Sequence, residues 1–534
     1  MLETSPAPAR ADEVAQQAAR RRVVAVISHP DAGKSTLTEA LLLHARAIGR
    51  AGATHGKAGR KATVSDWMTM EQQRGISVSS AAVQFEHDGV VINLVDTPGH
   101  ADFSEDTYRV LAAVDSVIML VDAAKGLEAQ TMKLFEVCRR RGLPVITMIN
   151  KWDRPGLDAL ALMDEIEVRT GLIPTPLTWP VGVSGDFAGL VDRRTGQLAQ
   201  FSRTAGGATI AEEHLVRAEQ AEALVGERWT TAMDETSLLD AEGQTHDQEL
   251  FLEAATTPVL FGAAVLNIGI GRLLDVIVEH APPAHARLDT NGEPRLVDTD
   301  FSGFVFKVQS GMNAAHRDRI AFIRVCSGVF ERGMTLTHEP TGRPFATKYA
   351  HQFFGRERET VDLAWPGDVV GLVNANALRP GDTLFLEHPV QFPPIPRFAP
   401  EHFQVVNARD TSKHKQFQRG LSQLDREGVI QVLTSDLRGP QRPILGAVGQ
   451  MQYEVVTERM TNEFNCPISL EPLEHTVAQL TTSAAADVLG SVVNVEVATR
   501  SDGATIALFP NVYRLRSVKR DHPELSLTGL GVDG

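Results

Sequence analysis

Five short apolar runs, each rich in β-branched residues, constrain the fold of this chain more than any other feature of its sequence. They alternate with longer segments of helical periodicity, and four of them end directly on a polar motif. Buried, nearly continuous apolar strands are typical of a parallel sheet covered on both faces by helices. In such domains ligands bind beyond the carboxyl ends of the strands, so the motifs there are the candidate functional residues. The runs are VVAVIS (23–28), VVINLVD (90–96), SVIMLVD (116–122), PVITMIN (144–150) and PVLFG (258–262).

The length of the chain predicts several domains, since 534 residues exceed what one hydrophobic core usually organises. Strand-like runs separated by turn signals indicate a β-barrel in the middle of the chain, and Pro-rich stretches mark linkers. The expected order is an N-terminal extension, an α/β domain with an insertion near 154–257, a β-barrel and an α+β domain. Their boundaries are 1–22, 23–288, 296–392 and 393–534.

Charge and cysteine content exclude some classes of protein. A formal net charge of −15 argues against a globally basic surface that clamps naked nucleic acid, and we expect no binding to DNA. The cysteines, Cys138, Cys326 and Cys466, lack metal-ligand spacing and are interpreted as reduced thiols of a cytoplasmic protein. Because no apolar run has signal-peptide or membrane-spanning length, we expect no membrane association. We interpret Arg20 to Arg22 as a solvated face.

The first strand leads into a loop that fits the phosphate-binding pattern Gly-x-x-x-x-Gly-Lys-Ser, with serine in place of the first glycine. Backbone N–H groups of such a loop and the positive end of the following helix suit a chain of phosphates. Lys34 is expected to neutralise the β- and γ-phosphates during catalysis, and Ser35 to ligate Mg²⁺. The nucleotide-binding candidates here are Ser28, His29, Pro30, Asp31, Ala32, Gly33, Lys34, Ser35 and Thr36.

A second motif, DTPGH, follows the strand at 90–95. Asp96 is expected to hold Mg²⁺ through a water, and the Gly99 N–H to contact a γ-phosphate that is present only before hydrolysis. His100 stands where a water-orienting catalytic residue is needed. Thr97 and Pro98 complete this part of the predicted nucleotide site.

A third motif, NKWD, selects the base. The ionised carboxylate of Asp153 only accepts hydrogen bonds, which matches the two adjacent donors of guanine and not the edge of adenine. Lys151 is expected to pack its stem against the base and Asn150 to brace the loop. In the tetrapeptide FGAA, Gly262 and Ala263 are expected to present backbone N–H groups to the guanine carbonyl.

The segment 50–80 between the first two motifs is expected to be a switch that the nucleotide orders. Ser77, in RGIS, is a candidate second protein ligand of Mg²⁺ when the γ-phosphate is present. Ser77 also fits the start of a strand.

With these motifs in order, the sequence resembles the translational GTPases, and among them the peptide chain release factor 3 family. SHPDAGKST, SDWM followed by QQRGIS, DTPGHADFSEDTYR, FAPEHF and LGAVGQMQYEVV are close to the pattern of that family. The resemblance implies a P-loop GTPase domain with a doubly wound, mostly parallel sheet, followed by a β-barrel and a C-terminal α+β domain. The sequence departs from the family pattern in its N-terminal extension, at Gln450, where an apolar residue is expected, and in looser matching after about residue 470.

The resemblance also implies a function. It predicts a monomeric, ribosome-stimulated enzyme that converts GTP and water to GDP and phosphate, with Mg²⁺ as cofactor. Its partners would be the bacterial ribosome, through ribosomal RNA and proteins, and the class I release factors that read stop codons. Another ribosomal GTPase of the elongation or ribosome-protection type, a P-loop ATPase or kinase, and a module that keeps nucleotide only for structure remain alternatives.

Overall fold

The chain, seen here in a computed structural model, is described at residues 8–48, 82–97, 104–202, 209–310, 319–354, 357–395 and 399–530. Its N-terminal half is built on a seven-stranded sheet in the order β2-β3-β1-β4-β5-β11-β6. All neighbouring strands run parallel except the β2–β3 hairpin. The strands are β1 Arg21–Ser28, β2 Ala82–His87, β3 Val90–Asp96, β4 Ser116–Asp122, β5 Val145–Asn150, β6 Ile173–Pro176 and β11 Thr256–Phe261.

Helices cover both faces of this sheet, so strands such as β4 and β5 are buried along their whole length. One face packs a core that includes Leu134 and Leu162, and the other packs a core that includes Leu41 and Leu274. This double covering explains why the sequence shows continuous apolar runs. The helices are α1 Pro8–Ala19, α2 Lys34–His44, α3 Ser104–Leu111, α4 Ala129–Arg140, α5 Ala159–Thr170, α6 Ala218–Val225, α7 Glu227–Ala241, α8 Gln248–Leu252 and α9 Ile270–His280.

A four-stranded antiparallel sheet, in the order β10-β9-β8-β7, is inserted between β6 and β11. Its strands are β7 Thr178–Val183, β8 Asp186–Asp192, β9 Gln197–Phe201 and β10 Glu213–Val216. The preceding β6 pairs with β11 at the edge of the main sheet. The separate sheet begins at Thr178, within the insertion predicted near 154–257.

The middle of the chain forms a β-barrel domain on an eight-stranded sheet in the order β18-β17-β23-β14-β15-β22-β19-β20. Phe330, Val305 and Ile323 lie in its core. The segment before it carries the short hairpin β12 Arg287–Leu288 and β13 Pro294–Arg295. The strands of this sheet are β14 Ser302–Ser310, β15 Arg319–Ser327, β17 Thr335–His338, β18 Arg343–Ala346, β19 Ala350–Phe354, β20 Glu357–Thr360, β22 Val369–Val373 and β23 Thr383–Phe385. In the same domain, β16 Phe330–Glu331 and β21 Leu363–Ala364 pair as a separate two-stranded sheet.

The C-terminal domain is of the α+β class, with an antiparallel sheet in the order β27-β24-β26-β25-β29-β30-β28-β31. Phe417 and Tyr453, from its two longer helices, pack in one core, and Leu515 packs in a second core. Its helices are α10 His414–Glu427, α11 Met451–Asn462, α12 Ser483–Leu489 and α13 Val512–Asp521. Its strands are β24 His402–Ala408, β25 Gln431–Thr434, β26 Ile444–Ala447, β27 Ile468–Pro472, β28 Val477–Thr481, β29 Glu496–Arg500, β30 Thr505–Phe509 and β31 Thr528–Gly529.

Buried ion pairs join the sheet domain to the barrel. Arg21 donates to Asp368 at 2.7 Å, and both side chains are buried. The interpretation of Arg20 to Arg22 as a solvated face is therefore wrong for Arg21, because its partner lies on another domain. Cys138, Cys326 and Cys466 are free thiols and buried, as expected. Within the described ranges, no helix is long and apolar enough to cross a membrane.

Candidate nucleotide-binding site

The loop between β1 and α2 has the backbone conformation of a tight phosphate-binding turn. Asp31 and Gly33 have φ values of 66° and 100°, and Gly33 caps the N-terminus of α2. A Cβ atom at Gly33 would stand 2.6 Å from Nδ2 of Asn150. Glycine is thus favoured at this position both by its φ and by the close approach of the hydrogen-bonded Asn150 side chain.

Lys34 lies at the start of α2, with its side chain buried under the end of β3. Its Nζ donates to the carbonyl oxygen of Thr97 and lies 3.8 Å from Oδ1 of Asp96. The Thr97 hydroxyl donates to the carbonyl of Val26 at 2.5 Å, which fixes the end of β3 against β1. The first two motifs therefore meet at one edge of the sheet, as parallel strands require.

Asn150 connects the phosphate loop to the FGAA loop. Its Nδ2 donates to the carbonyl of Ala32 at 2.8 Å, and its Oδ1 accepts from the N–H of Ala264 at 2.9 Å. Asn150 is 2% exposed, so both of its bonds are shielded from water. Asn150 therefore ties the phosphate loop to the FGAA loop in this structure.

Lys151 is held in place by a carboxylate that sequence reasoning missed. Its Nζ donates to Oδ2 of Asp122 at 2.8 Å and to the carbonyl of Asp31 at 2.5 Å. Burial alone would raise the pKa of Asp122, but hydrogen bonds from Lys151 and from the Ala124 N–H outweigh it, so the pKa is lowered. Asp122 thus stays ionised at neutral pH. The signal was its position at the end of SVIMLVD, level with Asn150 in the parallel register.

Asp153 presents an unsatisfied acceptor. Its Oδ1 is buried and accepts no hydrogen bond from any residue the structure describes, while Oδ2 lies 3.8 Å from the guanidinium of Arg154. A buried carboxylate oxygen without a donor is costly, so Oδ1 of Asp153 is suited to accept a hydrogen bond from a bound ligand. The adjacent N–H donors of guanine meet that requirement.

The FGAA loop differs from its expected role. The N–H of Gly262 donates to the carbonyl of Ile149 at 2.9 Å, and the N–H of Ala263 donates to the carbonyl of Ile268 at 3.0 Å. Both donors expected to face a base are thus used inside the protein: Gly262 continues the pairing of β11 with β5, and Ala263 bonds across the turn that precedes α9. The Gly262 carbonyl accepts from Trp152 N at 3.1 Å, so this loop supports the NKWD turn.

His29 is a second residue whose surroundings the sequence did not reveal. Its ring is 1% exposed, and Nε2 lies 3.3 Å from a carboxylate oxygen of Glu128. Burial lowers the pKa of His29, and the nearby Glu128 only partly opposes this. A neutral imidazole therefore lies beneath the phosphate loop. Ser28 is also buried, and its hydroxyl donates to the carbonyl of His29 at 3.0 Å.

The remaining predicted site residues divide into two groups. Pro30 and Ser35 are partly buried, and Thr36 is exposed on the first turn of α2. Ser77, Pro98, Gly99 and His100 lie outside the described residues.

Family models match three consecutive parts of the chain. Residues 19–283 match the model described as elongation factor Tu GTP binding domain, and residues 300–387 match elongation factor G domain 2. Residues 392–519 match the model described as class II release factor RF3, C-terminal domain. The order of these models follows the order of the three domains in the structure.

Full-length relatives are similar to the whole chain. A peptide chain release factor 3 of Cyanothece sp. is 43% identical over 523 residues, which cover 97% of this chain and 96% of the relative. A peptide chain release factor 3 of Gloeobacter violaceus is 46% identical over 473 residues, which cover 88% of this chain and 89% of the relative. A solved structure from Thermus thermophilus has a TM-score of 0.69 at 22% identity, covers 87% of this chain and 70% of that one, and supports the fold alone.

Proposed function

Because this chain belongs to the peptide chain release factor 3 family, we propose that it is a ribosome-stimulated GTPase that removes codon-reading release factors after peptide release. The chain is a translational GTPase of termination. The observation that carries the proposal is the convergence of the phosphate loop, the end of β3 and the NKWD turn at one sheet edge. Bonds of Asn150, Lys151 and Lys34 hold these three parts together.

Each of these residues would have a different role in binding GTP. Asp153 would accept the two donors of guanine, and its buried, unsatisfied Oδ1 supports this assignment. Asn150 and Lys151 would keep the base turn against the phosphate loop. Lys34 would stabilise charge on the transferred phosphate, at a point where burial strengthens its electrostatic effect.

Ser35 and Asp96 are the proposed ligands of Mg²⁺ among the described residues. Both offer oxygen donors, the type that Mg²⁺ prefers, and Asp96 lies within 3.8 Å of the phosphate-binding Lys34. When bound, Mg²⁺ neutralises charge on the β- and γ-phosphates. The assignments of Ser77 as a further ligand, and of Gly99 and His100 at the γ-phosphate and the attacking water, come from the sequence.

One experiment tests class, base and partner together: phosphate release from GTP and from ATP, with and without 70S ribosomes. We expect slow hydrolysis of GTP alone, strong stimulation by ribosomes and no stimulated hydrolysis of ATP. Equal turnover of ATP, or no effect of ribosomes, would contradict the proposal.

Two further measurements separate the alternatives. His100→Ala is expected to abolish ribosome-stimulated turnover and to leave GTP binding intact, as the catalytic role of His100 requires. In a recycling assay, the wild-type protein is expected to accelerate turnover of a class I release factor. Acceleration of translocation without that effect would favour an elongation-type factor instead.

A further inference from the structure

A cavity of about 510 Å³ lies where the GTPase domain, the connecting segment and the barrel meet. It adjoins the residues that precede β4 and β5, at the edge of the sheet opposite to the motifs described above. Three arginines line it, one from each of these parts: Arg141 follows α4, Arg287 begins β12 and Arg324 lies in β15. Arginine from three separate parts of a fold at one cavity is an arrangement that needs a counter-charge.

Protein groups supply only part of that counter-charge. Asp115 is the sole carboxylate among the described residues that line the cavity, and Arg324 binds both of its oxygens at 2.8 and 2.7 Å. Both side chains are buried, with 4% and 5% exposed. Nε of Arg324 is buried and donates to no atom in the described part of the chain. Three guanidinium groups and one carboxylate leave a net charge of +2.

The other two arginines contact neutral groups. Arg287 donates to the carbonyl of Ala112 at 2.6 Å and stacks over Phe304, with its guanidinium carbon 4.4 Å from the ring centre. Loss of contact with water lowers the pKa of Arg287 to about 10, and the positive charges of Arg324 and Arg141 act in the same direction. The stacking holds the guanidinium plane in place, while its charge remains unpaired.

The cavity is accessible to solvent on the side where Arg141 lies. Arg141 is exposed to solvent, and the hydrogen bond it makes to Ala112 O is long, at 3.5 Å. His285, with 58% of its side chain exposed, lies at the same cavity, and its Nδ1 is 3.6 Å from Asp115. An anion can therefore reach the guanidinium groups from outside.

We propose that this cavity is an anion site that binds a phosphate group, distinct from the GTP site. Guanidinium groups bind phosphate oxygens through paired, charge-assisted hydrogen bonds, and a doubly charged phosphate matches the net charge of +2. The group belongs either to a small phosphorylated molecule or to the backbone of RNA, since both offer the same oxygens.

The experiment measures thermal unfolding of the full chain, saturated with the non-hydrolysable GTP analogue GMPPNP and Mg²⁺ so that the γ-phosphate position is also occupied, as inorganic phosphate replaces chloride at constant ionic strength. Keeping the GTP site filled restricts the effect to other sites. We expect phosphate to raise the Tm of the wild type, since a ligand that binds only the folded state stabilises it. Arg141→Gln should weaken the apparent phosphate affinity by about tenfold, whereas Arg141→Lys should weaken it less.

Arg140→Gln is the matched control, because Arg140 lies one residue earlier and pairs with Glu136 away from the cavity. It should respond to phosphate like the wild type. Uridine monophosphate and an oligouridylate, tested in the same way, identify the source of the phosphate group. No phosphate effect on the wild type, or an equal loss in Arg140→Gln and Arg141→Gln, would overturn the proposal.

Discussion

At the scale of single residues, the base recognition proposed here rests on the unsatisfied oxygen of Asp153. We expect Asp153→Asn to lower the affinity for GTP by about a hundredfold or more, because an amide donor then opposes the donors of guanine. The affinity for xanthosine triphosphate should rise, since xanthine offers an acceptor at that position. Titration with fluorescent analogues of both nucleotides measures the change.

Asp164→Asn is a suitable control, since Asp164 is exposed on α5 and its side chain makes no hydrogen bond or ion pair in the described structure. It should leave both affinities unchanged. If Asp153→Asn kept its preference for guanine, the assignment of the base site would have to be abandoned.

The sequence indicated most of the candidate residues because they lie in short motifs at or just after the ends of apolar strands. Asn150 and Lys34 could be predicted from these motifs and from the known chemistry of phosphate and guanine. Asp122 and Glu128 were missed because neither belongs to a motif, and only the fold brings them to Lys151 and His29. The N–H groups of Gly262 and Ala263, predicted to face the base, donate to carbonyl groups of the protein, and a sequence does not show which N–H groups a fold satisfies internally.

At the scale of elements, the phosphate loop depends on the space above Gly33. Gly33→Ala should reduce nucleotide binding by at least about tenfold, because a Cβ would press on Asn150 at a φ of 100°. Gly171→Ala provides the control: φ is 77°, and no atom lies within 4 Å of the added Cβ. It should lower stability by about 1 kcal/mol and leave nucleotide affinity unchanged. Calorimetric titration with GDP distinguishes the two, and equal affinities would refute the steric argument.

Helix α3 connects the DTPGH motif to the C-terminal domain through Arg109. The guanidinium donates to the carbonyls of Glu427 and Gly428 at 3.2 and 3.3 Å, and it bonds Asp106 at 2.7 Å. The two carbonyls lie at the C-terminus of α10, where a positive charge is favourable.

We therefore expect Arg109→Ala to loosen the end of α10. Hydrogen exchange of the amides at 424–430 should become faster by about tenfold, with GDP binding unchanged. Arg139→Ala, which removes an exposed arginine paired only with Glu136 among the described residues, should leave exchange at 424–430 unchanged. Unaltered exchange in Arg109→Ala would show that this contact contributes nothing to α10.

Elements with strong periodicity were predictable, and short ones were not. The run 412–426 indicated a helix, which spans His414–Glu427, and the apolar run at 116–122 is the strand β4. The edge strand Ile173–Pro176 was not predicted, because four residues of which two are prolines show no alternation of apolar and polar side chains. Its hydrogen bonds come from β11, more than 80 residues later.

At the scale of the whole molecule, the contacts between domains were beyond sequence analysis. Asp368 of the barrel accepts from Arg21 and from Gln84, at 2.7 Å each, and its other oxygen accepts from Trp365 N. None of these residues belongs to a motif, and they are far apart in the chain. Local sequence patterns predict helices, strands and the sites at their ends. Contacts between domains depend instead on the shape and charge of surfaces that exist only after each domain has folded.

The Arg21–Asp368 pair gives a test of how firmly the two domains are joined. Asp368→Leu should lower the free energy of unfolding by about 3–5 kcal/mol, because it leaves a buried guanidinium without its partner. The double variant Arg21→Met with Asp368→Leu should be more stable than Asp368→Leu alone, since no unpaired charge remains. Urea unfolding followed by tryptophan fluorescence measures both.

For comparison, Arg228→Met breaks an exposed pair with Asp186 and should change stability by less than about 1 kcal/mol. If Asp368→Leu and Arg228→Met lowered the free energy of unfolding by the same amount, apolar packing would hold the junction. Asp368 would then have no special role in keeping the barrel against the GTPase domain.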